Sequence, residues 1–248
     1  MHRPSLSALI FDVDGTLAET EFAHLHAFNA AFAASHLDWH WDARRYTELL
    51  NVAGGRERLL QAWCDACGPV PQAERAAVRA RLDRVHALKT CRYVEWLRAR
   101  PLPLRPGVQA LITAARVAGL QLGIATTTSP ENIEALLAPV FGRDWRGMFA
   151  AIGNGATAPR KKPDPQVYRQ VLDILGIDPA AALAFEDSAD GLAAANAAGI
   201  ATVITPATFT RHHDFTGAAL VLPGLAGVQL ADLRRLHAAT APQPEPAA

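Results

Sequence analysis

The stretch Leu9-Ile10-Phe11-Asp12-Val13-Asp14-Gly15-Thr16-Leu17 limits what this 248-residue chain can fold into more than any other. Its apolar opening reads as a strand covered on both faces, the habit of parallel sheets. Two carboxylates at the strand's carboxyl end repel each other and resist burial unless a divalent cation and a lysine balance them. Gly15 lets the chain leave the strand in a bend closed to residues that carry a Cβ. The rest of the sequence is a search for that lysine and for further oxygen ligands.

Beyond Thr16 the periodicity turns helical. Phe22, Leu25, Phe28 and Phe32 recur at spacings of three and four and predict one apolar helix face. Asp42 predicts the cap of a second helix toward Leu50, Gly54-Gly55 a turn, and Arg56 the start of a third helix ending near Gly68-Pro69. A long helix follows from about Gln72 to Arg100, so this block carries no strand signal. Pro101, Pro103 and Pro106 mark a boundary. Strand and helix then alternate, with strands predicted at 122–125, 149–152, 182–185, 201–204 and 220–222. Ser129-Pro130 and Asp164-Pro165 read as helix starts, and Gly119, Gly176 and Gly199 as helix stops. The pattern predicts an α/β protein with a parallel sheet covered on both faces and a helical insertion after its first strand.

Composition excludes several partners. Lys+Arg and Asp+Glu are 24 each, which removes the basic excess needed for nucleic acid or an anionic membrane. No apolar run reaches the roughly 20 residues of a membrane span. The run from Met1 into a strand has no signal-peptide layout, so a cytoplasmic monomer is the expectation. Cys64-x-x-Cys67 lacks a second pair or nearby histidines and reads as two reduced thiols one helical turn apart.

Ligands of an open parallel sheet bind beyond the carboxyl ends of its strands. Those ends carry Asp12 and Asp14, Thr126, and Glu186-Asp187, and a loop before a helix adds Lys161-Lys162-Pro163. Asp12, Glu186 and Asp187 are hard oxygen ligands suited to Mg²⁺. Asp12 can attack phosphorus, and Asp14 can protonate the leaving oxygen and then deprotonate a water. Thr126 offers a hydroxyl and a backbone N–H to phosphoryl oxygens, and Lys162 a positive charge against them. Each feature alone is commonplace; the set is not.

This set resembles the haloacid-dehalogenase superfamily of phosphotransferases. Asp12-Val13-Asp14-Gly15-Thr16, Thr126, Lys162-Pro163 and Glu186-Asp187-Ser188 are similar to its four motifs in order. The resemblance implies a Rossmann-like core (1–18 and 100–237) and an inserted α-helical cap of the C1 type (19–99); the Ala/Pro-rich tail (238–248) lies outside it and is predicted by its composition to be disordered. It implies that Asp12 is the nucleophile and Asp14 the acid/base, the Asp14 backbone carbonyl also binding Mg²⁺. Ala18-Glu19-Thr20-Glu21, His24, Ala53-Gly54-Gly55-Arg56 and Thr126-Thr127-Thr128-Ser129 narrow the resemblance to CbbY-type sugar-bisphosphate phosphatases. That implies removal of one phosphate from xylulose-1,5-bisphosphate, an inhibitor of rubisco in the Calvin cycle, to give xylulose 5-phosphate. Glu19 and His24 would then face sugar hydroxyls. Arg56 and Lys89 would hold the distal phosphate beside the Gly54-Gly55 backbone, with Thr127 next to Thr126. The rivals are a β-phosphoglucomutase-type mutase and a phosphoglycolate-type phosphatase; a binding module without turnover is disfavoured because every required side chain is present. Gly153-Asn154-Gly155-Ala156 departs from the usual Gly-Asp of relatives and leaves open how the Lys162 loop is anchored.

Overall fold

The computed structural model describes residues 4–240. Its sheet is built from β1 (Ala8–Phe11), β2 (Gln121–Ala125), β3 (Ala151–Gly153), β4 (Ala182–Glu186), β5 (Ala201–Ile204) and β6 (Leu220–Val221). All are parallel, in the order β3-β2-β1-β4-β5-β6, with β1 central. β1 is buried at every position because both faces are covered, and Phe11 stacks on Phe185 of β4 at 4.8 Å. One face carries α5 (Val108–Val117) and α6 (Pro130–Phe141). The other carries α7 (Gln166–Leu175) and α8 (Ala189–Ala197). The expected α/β architecture is what forms.

The starts of these helices follow sequence chemistry. The Ser129 hydroxyl accepts from the Asn132 amide, Ser188 from Gly191 and Asp42 from Arg45. β3 starts two residues and ends one residue later than expected, and β6 is a short exposed edge. A last helix, α9 (Leu230–Thr240), is not foreseen by the periodicity. It buries Leu233 and His237 and carries residues 238–240 into ordered helix, correcting the expected start of the tail; the rest of the tail lies outside the described residues.

Between β1 and β2 stand α1 (Glu21–Ala34), α2 (Ala43–Leu49), α3 (Gly55–Cys67) and α4 (Arg75–Ala99). α1 buries Phe28 and Phe32 of the expected face but turns Phe22 outward. Ala23, His24, Ala27, Phe28, Ala31 and Phe32 are buried, whereas Phe22 is 54% exposed. The small alanines let α1 approach α4 closely, a packing signal that a count of large apolar residues overlooks.

The helical block and the sheet meet through two devices. The Arg105 guanidinium donates to the carbonyls of Gly15, Thr205 and Pro206, and the Arg105 amide donates to Leu17 O at 2.8 Å. Both chain crossings are thereby tied to the loops after β1 and β5. From the β5 loop, Phe209 projects into the helical block and joins its apolar cluster, edge-on to Phe22 (4.8 Å) and Tyr46 (5.7 Å). Phe209 is 5% exposed. Phe209→Ala is expected to lower unfolding stability by about 3–5 kcal/mol and Phe22→Ala by under about 1 kcal/mol, read from urea midpoints. Equal small losses would show that Phe209 does not seat the block.

Candidate active site

β1 and β4 lie side by side, so Asp12 and the Glu186-Asp187 pair emerge together at their carboxyl ends. Lys162 Nζ reaches across from the loop before α7 and donates to Asp12 Oδ1 (2.7 Å), Glu186 Oε1 (2.5 Å) and Ala125 O (2.8 Å). These bonds engage all its donors, so its charge faces the site while a direct bond to a phosphoryl oxygen requires exchanging a partner. Tyr168 donates to Glu186 Oε1 at 2.7 Å, and Thr210 to Asp187 Oδ2 at 3.0 Å. Close approach explains two glycines. A Cβ on Gly15, whose φ is +79°, would fall 2.2 Å from Asp187 Oδ2; one on Gly191 would fall 1.9 Å from Glu186 Oε2.

The charges do not balance. Asp12, Glu186 and Asp187 bring oxygens within 4.8 Å of one another, and Lys162 supplies one cation against them. Burial, then the charge of Glu186 and Asp14 acting against that of Lys162, pushes the Asp12 carboxyl up to about 8. Burial, then Asp12 and Glu186, likewise holds Asp187 well above the usual carboxylate range. Carboxylates so crowded either bind protons or bind a cation. The donor set is all hard oxygen, with Asp187 the least committed and Glu186 the most, so the cluster fits a divalent cation.

Asp14 turns to the other side. It accepts from Thr20 Oγ1 at 2.6 Å and meets His24 Nε2 at 3.0 Å, while His24 Nδ1 meets Lys89 Nζ at 2.8 Å. A charged Lys89 can only donate, so His24 presents Nε2–H to Asp14. Burial raises the Asp14 carboxyl, but His24, Thr20 and Lys89 outweigh it and hold it below the usual range. Asp14 is therefore held ionised, and one buried file of polar groups links it to α4.

Asp12, Asp14, His24, Gly54, Gly55, Arg56, Lys89, Thr126, Thr127, Lys162 and Asp187 line one cavity of about 920 Å³ between sheet and helical block. Glu186 lies buried behind it. Glu19 does not line it; its carboxylate accepts from the Thr208 amide at 3.2 Å, away from the expected sugar site. His24 has both ring nitrogens engaged and no free one for a sugar hydroxyl, contrary to expectation. Lys89 keeps two further donors. The Thr126 amide bonds Gly153 O at 3.1 Å, so the hydroxyl of Thr126 faces the site but its N–H does not; the Thr127 amide has no protein partner. Asn154 resolves the question of the loop anchor. Its Oδ1 accepts from the amides of Ala156 (2.9 Å) and Thr157 (3.3 Å), as a carboxylate would.

Sequence reading misses Tyr168, Thr210, Thr20 and the cavity residues Glu21, Arg58 and His86. Thr20 and Glu21 stood inside one motif and Arg58 in the run Ala53-Gly54-Gly55-Arg56-Glu57-Arg58; the others carry no local signal. His86 is held neutral, pushed down to about 3 by burial and then by Lys89 and Arg56.

The haloacid dehalogenase-like hydrolase profile matches residues 6–199. Protein CbbY of Cupriavidus necator is 56% identical over 220 residues, covering 89% of this chain and 86% of that protein. A crystal structure of a CbbY variant from Rhodobacter sphaeroides in complex with xylulose-1,5-bisphosphate superposes with a TM-score of 0.84 at 41% identity, covering 92% of this chain and 99% of that one. A β-phosphoglucomutase from Clostridium difficile shares the fold at 18% identity, a TM-score of 0.76 and coverage of 94% and 98%.

Burial, against the attraction of Asp14 and Glu21 and with Arg58 adding repulsion, pulls the Lys89 ammonium down to about 8. His24, His86 and Tyr93 are its other close neighbours. The unfolded chain then binds the extra proton between about pH 8 and 10.5, so stability rises with pH across that window. Against Lys89→Met, the wild type is expected to gain up to about 3 kcal/mol over the same window. Parallel stability curves from urea melts would contradict this.

Proposed function

The chain belongs to the haloacid dehalogenase-like hydrolases and is a phosphatase of that family; from this premise we propose that it removes one phosphate from a sugar bisphosphate, with xylulose-1,5-bisphosphate as substrate and xylulose 5-phosphate as product. The observation that carries the reading is a second basic group. Arg56, Arg58, Arg79 and Lys161 line the same cavity as Asp12, and a substrate with two phosphates uses both ends of it. The bisphosphate complex of the Rhodobacter sphaeroides relative supports the same reading.

In the proposed reaction Asp12 attacks phosphorus, the bond from phosphorus to the sugar oxygen breaks, and an aspartyl-phosphate forms. Asp14, ionised in the free protein, takes a proton from solvent as the substrate binds and delivers it to the leaving sugar oxygen. A water then attacks the same phosphorus, Asp14 receives its proton, inorganic phosphate departs and Asp12 is restored. The hydroxyl of Thr126 and the amide of Thr127 orient the transferred group, and Lys162 opposes its charge. Asp12, Asp187 and the Asp14 carbonyl would hold Mg²⁺, with Glu186 behind them. When bound, that ion neutralises the carboxylates and the transferring phosphoryl group. The division into core (1–18, 100–237) and cap (19–99) is part of the proposal, Arg56 approaching the distal phosphate from the cap side.

A phosphate-release panel of sugar phosphates and phosphoglycolate is expected to give the highest kcat/KM with xylulose-1,5-bisphosphate, and none after chelation of Mg²⁺. Asp12→Asn should lose at least about 10³-fold in kcat. Arg56→Ala should reduce kcat/KM for the bisphosphate more than for a small phosphate ester. A better monophosphate in the panel would reject the substrate assignment.

A further inference from the structure

Glu21 lines the cavity but has no part in phosphoryl transfer. It is the first residue of α1, where an acid complements the helix dipole. That role needs neither a brace nor a place on the cavity wall, and Glu21 has both. Its Oε2 accepts from the Tyr46 hydroxyl at 2.5 Å. Tyr46 is fully buried, and its oxygen takes Arg58 Nη1 at 3.3 Å. Arg58 is fixed in turn by its Nε on Leu49 O at 3.1 Å, with its guanidinium 5.3 Å over the Tyr46 ring. The brace engages one carboxylate oxygen. The other, Oε1, has no hydrogen bond from the described residues and is not sealed from solvent.

We propose that Glu21 is a specificity-determining residue, its free oxygen accepting a hydrogen bond from a hydroxyl of the substrate. The inference rests on the reading that the substrates are sugar phosphates and adds which residue tells them from other phosphate esters. An immobilised carboxylate on the wall of this cavity makes two demands. A hydroxyl facing it gains a charge-assisted bond whose geometry is already set. A carboxylate facing it, as in phosphoglycolate, meets like-charge repulsion. Among the described residues Glu19, which the sequence favours for this task, is bonded to Thr208 instead, leaving Glu21 as the acid of this segment on the cavity wall.

The test compares two monophosphates, sorbitol 6-phosphate and phosphoglycolate, by the ratio of their kcat/KM values. Glu21→Gln is expected to lower the ratio of the sugar phosphate to phosphoglycolate by about 10- to 100-fold, chiefly through KM for the sugar phosphate. Tyr46→Phe keeps the carboxylate but removes its brace and should shift the ratio the same way by a smaller factor. An unchanged ratio for Glu21→Gln, or equal losses on both substrates, overturns the proposal. If Glu21→Gln does not fold, Tyr46→Phe decides, and an unchanged ratio overturns it. Because neither substrate is a bisphosphate, this result is readable whether or not xylulose-1,5-bisphosphate leads the panel.

Discussion

Everything at the site follows from one ammonium group placed among carboxylates that outnumber it. Lys162 holds Asp12 to Glu186 across the adjoining ends of two strands, and without it the two acids could not share that space. One lysine does not neutralise Asp12, Glu186 and Asp187 together. The protein is built with a deficit of positive charge at the strand ends, one that a bound divalent cation would fill. The surrounding structure maintains it. Tyr168 and Thr210 orient the acids, and Gly15 and Gly191 leave room for them.

Asp14 and Asp12 are two residues apart and meet opposite conditions. Asp12 faces other acids; Asp14 faces Thr20, His24 and Lys89 from the helical block. The difference pushes one carboxyl toward protonation or a cation and keeps the other ionised. The helical block therefore sets the charge state of Asp14 as well as walling the cavity, in part through a lysine 75 positions downstream of Asp14.

What could be read in the sequence was what repeats or sits at a fixed offset. The parallel sheet showed in alternating apolar strands and glycine stops; Asp12, Asp14, Thr126, Glu186 and Asp187 showed because they stand at strand ends, and Lys162 because it precedes a proline before a helix. Residues that work by reaching across the fold left no such trace. Tyr168 looks like any apolar position of α7, and Thr210 stands in an unremarked loop. Glu19 and Glu21 have the same local character, and only the fold decides that one bonds Thr208 and the other faces the cavity. Phe22 was misplaced for the opposite reason, since its size promised burial while alanines provided the close helix contact.

Phe209 bears on how this architecture can be divided. The helical block is continuous in sequence, yet part of its apolar interior comes from a loop more than a hundred residues later. The block is thus not a self-contained module. A chimera that grafted a foreign helical segment between β1 and β2 would inherit a plug cut for another socket, and the loop bearing it also carries Thr210, whose hydroxyl rests on Asp187. Lineages that trade caps must revise that distant loop in step.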